Sequence, residues 1–143
     1  MSKIVIIGAG AMGSAFALPC LDNNHDINIV GTHLENNFID DLQKNNNLHP
    51  GLNVKIPKEI NIFKFEKFDD LLKSNVDLIV LGISSKGIEW VADQLSRLYR
   101  DGKIPKLLML TKGLSIYKNQ YELLVDKLER LLEDRGIKKV DIS

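Results

Sequence analysis

Residues 3–13 of this chain read KIVIIGAGAMG, and this segment predicts the fold. Its first five residues form an apolar run rich in β-branched side chains, which is typical of a strand buried on both faces of a parallel sheet. The pattern G-x-G-x-x-G follows directly, and small and apolar residues then continue to Leu21. We therefore predict a strand, a glycine turn and a helix in direct succession. We expect Pro19 to kink this helix or to end it early, because proline has no backbone N–H to donate.

The glycine turn has the form that binds the diphosphate of a dinucleotide. Gly8 permits a tight turn, Gly10 lets the main chain approach the phosphates, and Gly13 lets the helix pack close to the strand. The helix N-terminus adds free N–H groups and a partial positive charge. A glycine turn that serves only the fold is the alternative. A nucleoside-triphosphate loop is excluded, because Ser14 and Ala15 stand where that loop needs lysine followed by serine or threonine.

Strands and helices alternate along the rest of the chain. Apolar or alternating segments predict strands at residues 27–30, 60–65, 77–83, 107–110 and 139–142, and helical spacing predicts helices at residues 35–44, 68–73, 88–99 and 121–132. Such alternation is typical of βαβ units with right-handed crossovers. We therefore predict an α/β fold: one domain over residues 1–143, with a doubly wound, mostly parallel Rossmann-type sheet and helices on both faces.

Composition and charge exclude several classes of protein. The chain has 19 Lys and Arg residues against 19 Asp and Glu residues, so its formal net charge of zero does not favour nucleic acid as a partner. No apolar run approaches the ~20 residues of a membrane-spanning helix, so no membrane partner is expected either. The three histidines and the single Cys20 lack the spacing of metal ligands, and we expect no metal site.

The segment after the second strand bears on which dinucleotide is bound. An NAD site usually carries Asp or Glu there to hold the ribose 2′-hydroxyl, but this chain has Gly31, Thr32 and His33. Glu35 lies slightly too far along for that role. Because nothing there would repel a 2′-phosphate, and Thr32 and His33 could hydrogen-bond to it, we expect NADP or NAD, with NADP favoured. An ordinary surface role for His33 is the alternative.

Lys112 is the candidate catalytic residue. It follows a predicted buried strand, at the edge where open α/β sheets bind their ligands. Gly113 beside it permits a close approach to the main chain. A lysine in this position can neutralise a substrate phosphate or polarise a carbonyl group. A solvated loop lysine is the alternative.

Five segments together resemble the NAD(P)-dependent glycerol-3-phosphate dehydrogenases, specifically their N-terminal cofactor-binding domain. They are GAGAMG at 8–13, GTH at 31–33, NLHPG at 47–51 leading to Ile56 and Pro57, VLGISS at 80–85 and TKGL at 111–114. Their order and spacing match the family over nearly the whole chain. Two departures are Met12, where the family usually has Trp or Tyr, and Ser84, where it usually has Pro.

The resemblance implies interconversion of dihydroxyacetone phosphate and sn-glycerol 3-phosphate with a nicotinamide cofactor, in the supply of phospholipid precursors. It implies cofactor contacts at Ala11, Met12, His33 and the turn at Ser84, and it implies that Lys112 contacts both cofactor and substrate. We add Gly8, Gly10, Gly13 and Thr32 to the predicted cofactor site from the motif itself. The resemblance further implies a cytoplasmic enzyme that acts on a small phosphorylated substrate, with the full-length protein a homodimer.

Members of that family continue into a helical C-terminal domain that carries a second lysine. The present chain stops at Ser143, so it resembles the cofactor half alone, and we expect negligible turnover from it. Hydride transfer also needs an oriented substrate and a positioned acid. Two other functions stay open. One is a different NAD(P)-dependent two-domain dehydrogenase, of the 3-hydroxyacid or ketopantoate reductase type, and the other is a non-catalytic dinucleotide-sensing domain.

Overall fold

The computed structural model describes all 143 residues and contains nine strands and five α-helices. The strands are β1 (Lys3–Ile7), β2 (Asp26–Val30), β3 (Leu48–His49), β4 (Val54–Lys55), β5 (Asn61–Phe63), β6 (Leu78–Leu81), β7 (Lys106–Met109), β8 (Leu114–Tyr117) and β9 (Gln120–Leu123). The helices are α1 (Ala11–Asp22), α2 (Asn36–Lys44), α3 (Phe68–Lys73), α4 (Ile88–Leu98) and α5 (Leu124–Asp134). None of these helices combines the length and the apolar composition that crossing a bilayer requires.

Five strands form one parallel sheet in the order β5-β2-β1-β6-β7. The chain builds outward from β1 in one direction through β2 and β5, then returns to the other side of β1 for β6 and β7. The strand order therefore reverses between β1 and β6, and at such a point an open α/β sheet leaves a crevice at the carboxyl ends of its strands. The predicted doubly wound, mostly parallel sheet is confirmed.

Two apolar cores lie on opposite faces of this sheet. Val5 and Ile7 of β1 belong to the core that is closed by α3, α4 and α5. Ile4 and Ile6 belong to the second core, which is closed by α1 and α2. All four side chains are at most 4% exposed, so β1 is buried on both faces, as its unbroken apolar run predicts. The prediction of helices on both faces is confirmed.

We expected Pro19 to kink helix α1 or to end it early. The helix does not end there but continues to Asp22. Proline lacks the N–H that would donate to the preceding turn, but its carbonyl group still accepts from Asn23 N–H at 3.2 Å. Pro19 lies in the last turn, where only three helical residues follow it.

Residues 114–123 differ most from the prediction. We expected a helix from residue 121, but Tyr121 lies in an antiparallel hairpin formed by β8 and β9, and α5 begins at Leu124. The hairpin turns at Lys118 and Asn119, which both have positive φ, of 49° and 63°. Positive φ at both central residues is the requirement of the two-residue turns that suit hairpins. Glycine usually marks such turns, and its absence here hid the hairpin in the sequence.

One ionic contact ties this hairpin to α5. The Glu122 carboxylate of β9 accepts from the Arg130 guanidinium of α5 at 2.7 Å and from Ser115 Oγ at 2.9 Å. The bond from Arg130 holds the pKa of the Glu122 carboxyl below its ordinary value. The same guanidinium lies 3.7 Å from the centre of the Tyr117 ring. The hairpin is therefore anchored on the helix that follows it, while its other apolar side chains face outward.

The C-terminal residues run beside the edge strand β7. Leu107 N–H donates to Asp141 O at 2.9 Å, and Met109 N–H donates to Ser143 O at 2.8 Å. Ser143 N–H returns a bond to Leu107 O at 3.0 Å, and Ile142 forms a parallel bridge with Leu107. The strand predicted at 139–142 is thus reduced to this short pairing, which covers one side of β7.

Candidate functional site

A cleft of about 480 Å³ opens where the strand order reverses, at the carboxyl ends of β1, β2 and β6. The glycine turn, the loops after β2 and β6, and the first turn of α4 form its walls. The lining residues are Gly10, Thr32, His33, Leu34, Glu35, Gly82, Ile83, Ser84, Lys86, Gly87 and Trp90. Since ligands of open α/β sheets bind in this crevice, we take the cleft as the candidate site.

Three glycines bring α1 against the sheet beneath this cleft. A Cβ at Gly8 would overlap the Gly82 carbonyl oxygen, and Gly8 also has a positive φ of 108°. A Cβ at Gly13 would lie 2.8 Å from Gly8 O, and one at Gly82 would lie 3.0 Å from the Gly13 Cα. The distances at Gly8 and Gly13 are too short for a real Cβ, and the distance at Gly82 is tighter than nearly all real Cβ contacts. The three glycines therefore serve the contact of main chain with main chain.

Gly10 has a different environment from these three glycines. A Cβ added at Gly10 meets no atom within 4 Å, and the residue lines the cleft. Its φ of −67° and ψ of 177° are ordinary extended values that any residue can adopt. Nothing in the fold thus requires glycine at this position. The space that the missing side chain leaves belongs to the cleft, as the role assigned to Gly10 from the sequence requires.

The N-terminus of α1 offers main-chain donors at the same place. The first helical bond runs from Ser14 N–H to Gly10 O at 3.1 Å, so the N–H groups of Ala11, Met12 and Gly13 have no acceptor in the helix. No acidic residue lies in the first turn, and no side chain caps it. Ala11 and Met12 are exposed. Unpaired N–H groups and the positive end of the helix dipole together suit an anion.

Glu35 belongs to the cleft wall, although the sequence analysis placed it too far along the chain. Its carboxylate accepts from Thr32 N–H at 2.9 Å and from Ala9 N–H at 3.1 Å. Thr32 Oγ1 in turn accepts from Leu34 N–H at 3.3 Å. The spacing Thr-x-x-Glu before a helix is the sequence pattern of a capping box, in which the glutamate reaches back to a main-chain donor. Glu35 reaches back to Thr32 N–H in this way, but Glu35 is itself the N-cap of α2 and no side chain caps that helix, so only half of the pattern forms. The pattern was present in the sequence and indicated this carboxylate.

Aromatic rings form another wall of the cleft. The His33 ring centre lies 5.1 Å from that of Trp90 and 6.0 Å from that of Phe65. Trp90 also contacts Phe68, which is fully buried, at 5.7 Å. Trp90 packs against the core and also lines the cleft. His33 is exposed. Its ring lies against an aromatic surface on which a flat ligand ring can pack.

The structure brings some of the predicted site residues together and leaves others apart. Gly10, Thr32, His33 and Ser84 line the cleft. Ser84 and its neighbour Lys86 are exposed there, and Lys86 is the permanent cation of the lining. Lys86 is not among the predicted site residues, because a lysine in a loop carries no signal of its own.

Lys112 lies outside the cleft lining. It is exposed, on the segment that leaves the carboxyl end of β7. The neighbouring Thr111 donates its Oγ1 hydroxyl to Ile83 O, which joins this segment to the loop after β6. Lys112 therefore shares the sheet edge with the cleft, while its side chain is free in solvent.

Comparison of this chain with known sequences identifies the family to which it belongs. Residues 3–140 match the family described as the NAD-dependent glycerol-3-phosphate dehydrogenase N-terminus. The NADP(+)-dependent glycerol-3-phosphate dehydrogenase of Archaeoglobus fulgidus is 29% identical over 140 residues, which are 98% of this chain and 40% of that protein. The glycerol-3-phosphate dehydrogenase [NAD(P)+] of Oceanobacillus iheyensis is 28% identical over 139 residues, 94% of this chain and 38% of that protein. The chain thus spans about two fifths of the length of these relatives.

Solved structures share the fold. The glycerol-3-phosphate dehydrogenase of Coxiella burnetii superposes with a TM-score of 0.73 at 19% identity, over 99% of this chain and 39% of that chain. The putative 2-dehydropantoate 2-reductase of Enterococcus faecalis superposes with a TM-score of 0.63 at 23% identity, over 98% and 39%. Both likenesses concern the fold, which enzymes with different substrates share.

The contrast between Gly8 and Gly10 yields a stability prediction. Gly8→Ala should lower the free energy of unfolding by more than about 2 kcal/mol, because the new methyl group meets main chain and the φ is positive. Gly10→Ala should lower it by no more than about 1 kcal/mol, since its backbone is ordinary and its surroundings are open. Urea unfolding of both variants measures the difference. Equal losses would contradict the separate roles of the two glycines.

Proposed function

The chain belongs to the family of NAD-dependent glycerol-3-phosphate dehydrogenase N-terminal domains, and we propose that it is the cofactor-binding part of such an enzyme. The whole protein would reduce dihydroxyacetone phosphate to sn-glycerol 3-phosphate with NADPH or NADH. The observation that carries the proposal is the open space at Gly10, which leads to the uncapped N-terminus of α1. A diphosphate needs this access, and an ordinary helix start does not.

The residues of the cleft fit a nicotinamide dinucleotide. In our proposal the diphosphate would lie at Gly10 and accept from the N–H groups of Ala11 and Met12, while Gly8 and Gly13 would keep the turn close to the sheet.

Thr32 and His33 would hold the adenosine half of the cofactor at the end of β2, and Ser84 would contact the cofactor from the loop after β6. The bound nicotinamide supplies the hydride that reduces the substrate carbonyl.

Lys112 contacts both cofactor and substrate in this proposal. Its position at the carboxyl end of β7 supports the role, as does the bond from Thr111 to Ile83, which ties its segment to the cleft. An ammonium group there would neutralise the substrate phosphate or polarise the carbonyl group. Its exposure leaves the side chain free to turn toward a ligand.

We propose that the cofactor is NADP or NAD, with NADP favoured. The Archaeoglobus relative is named as NADP-dependent, and the Oceanobacillus relative is named for either. Lys86 lines the cleft and supplies a positive charge that a 2′-phosphate can use. The Glu35 carboxylate acts in the opposite sense, but its oxygens already accept hydrogen bonds from two main-chain N–H groups.

The proposal extends to the organisation of the protein. We propose that residues 1–143 form one Rossmann domain, that the whole protein is a cytoplasmic homodimer, and that its substrate is a small phosphorylated molecule. The names of the relatives support the substrate, and the family resemblance supports the location and the dimer. Two separate cores on one continuous sheet support a single folding unit.

Gly10→Val tests the cofactor site directly. The branched side chain would occupy the path of the diphosphate, so we expect loss of NADPH and NADH binding, by at least about 100-fold, in a variant that stays folded. Isothermal titration calorimetry measures the affinity, and circular dichroism verifies the fold. Gly102→Val is the matched control, because an added Cβ at Gly102 also meets no atom within 4 Å. Unchanged affinity in Gly10→Val would remove the glycine turn from the site.

Lys112→Ala tests the lysine. We expect about tenfold weaker binding of NADPH, the effect of losing one charge-assisted contact, with no change in melting temperature because the side chain is exposed. Lys138→Ala, another exposed lysine far along the chain, is the control and should bind as the unmodified chain does. Equal affinities of the two variants would place Lys112 outside the cofactor site.

An assay of the whole protein tests the substrate and separates the alternatives. We expect oxidation of NADPH that depends on dihydroxyacetone phosphate and does not occur with ketopantoate. The opposite preference would favour the reductase whose fold this chain shares. Tight binding of the cofactor without turnover on either substrate would favour a dinucleotide-sensing domain.

A further inference from the structure

The main-chain groups of Ala9, between the first two glycines of the turn, are held by three side chains. Ala9 N–H donates to the Glu35 carboxylate, at 3.1 Å to Oε2 and 3.3 Å to Oε1. Ala9 O accepts from Ser14 Oγ at 3.2 Å and lies 2.9 Å from His49 Nε2. Ala9 is only 1% exposed, so water does not compete for these groups. The short turn is thereby fixed from outside its own segment.

The contacts of His49 determine where its ring proton lies. Gly51 N–H donates to His49 Nδ1 at 3.1 Å, so Nδ1 is the acceptor nitrogen of a neutral ring. The proton therefore lies on Nε2, which donates it to Ala9 O. The ring is 2% exposed and has the Phe38 ring at 5.3 Å. His49 is thus a buried side chain in the Nε2–H tautomer, and Ala9 O is the acceptor of that N–H.

A peptide plane couples this bond to the ligand site. In a trans peptide the C=O of one residue and the N–H of the next point in opposite directions. By holding Ala9 O, His49 also sets the direction of Gly10 N–H. That N–H donates to no acceptor in the protein, and it belongs to the residue that lines the cleft. Rotation of this plane would redirect an unpaired donor of the turn.

The hydrogen bond from His49 to Ala9 O comes from outside the five-stranded sheet. His49 lies on β3, which pairs with β4 in a separate two-stranded hairpin outside the five-stranded sheet. The bond joins residues 40 positions apart in the chain. Ala9 O already has Ser14 Oγ as a donor, so its burial does not by itself require a histidine.

We propose that His49 is a positioning residue of the cofactor site, whose Nε2–H orients the Ala9–Gly10 peptide so that Gly10 N–H meets the dinucleotide diphosphate. The inference rests on the proposed function and adds to it a residue from outside the glycine motif. His49 does not touch the ligand in this scheme. Its effect reaches the diphosphate through the peptide plane alone.

Two substitutions separate positioning from simple packing. The amide nitrogen of glutamine can stand where Nε2 stands, so His49→Gln keeps the donor to Ala9 O. Asparagine places its amide oxygen near Nδ1 and is too short to reach Ala9, so His49→Asn keeps only the acceptor for Gly51 N–H. We expect the affinity for NADPH to stay within about threefold in His49→Gln and to fall by at least about tenfold in His49→Asn. Titration calorimetry on the 143-residue chain measures both.

Melting temperatures provide the necessary reference. A residue that serves only packing would lose stability without a matching loss of affinity for NADPH, and Leu132→Ala is the reference for that behaviour. Leu132 is fully buried in the other core, and its truncation lowers stability without touching the turn. We expect Leu132→Ala to melt lower and still bind NADPH as the unmodified chain does, and His49→Asn to depart from that behaviour.

The outcomes distinguish this inference from the proposed function. If the unmodified chain binds NADPH, then unchanged affinity in His49→Asn, or equal losses in both His49 variants, overturns the positioning role and leaves the proposed function standing. If the unmodified chain binds neither NADPH nor NADH, the proposed function fails and the inference fails with it. Should His49→Asn not fold, a folded His49→Gln that binds more than about tenfold weaker overturns the inference.

Discussion

The close contact of main chain with main chain at Gly8, Gly13 and Gly82 determines where helix α1 meets the sheet. It places the first turn of α1 against the ends of β1 and β6, nearer than any side chain would allow. The helix N-terminus then lies at the point where the strand order reverses, so its unpaired N–H groups face the crevice. The position of the cleft therefore follows from this contact.

The site that results depends on main-chain groups more than on charged side chains. Its donors are the N–H groups that precede the first helical bond, and Glu35 and His49 act on the turn itself. Such donors are already oriented before a ligand arrives, so little reorganisation accompanies binding. The side chains of Glu35, His33 and Lys86 line the same cleft.

The fold was predictable to the extent that its signals are local. The run at residues 3–7 and the glycine pattern predicted β1, the turn and α1 because their physical causes lie within a dozen residues. The hairpin at Lys118 and Asn119 escaped because its turn adopts positive φ without glycine. The Thr-x-x-Glu pattern at residues 32–35 was a local signal that we overlooked. The bond from His49 to Ala9 joins positions 40 residues apart, and no sequence pattern specifies such a tertiary contact.

The pairing of Asp141 and Ser143 with β7 has a practical consequence for handling the protein. A strand with unpaired main-chain groups on one side is a template for association between molecules, and these last residues occupy that side. Removing them would leave main-chain groups of the edge strand β7 unpaired. Shortened forms that lack residues 141–143 should therefore aggregate more readily than the 143-residue chain.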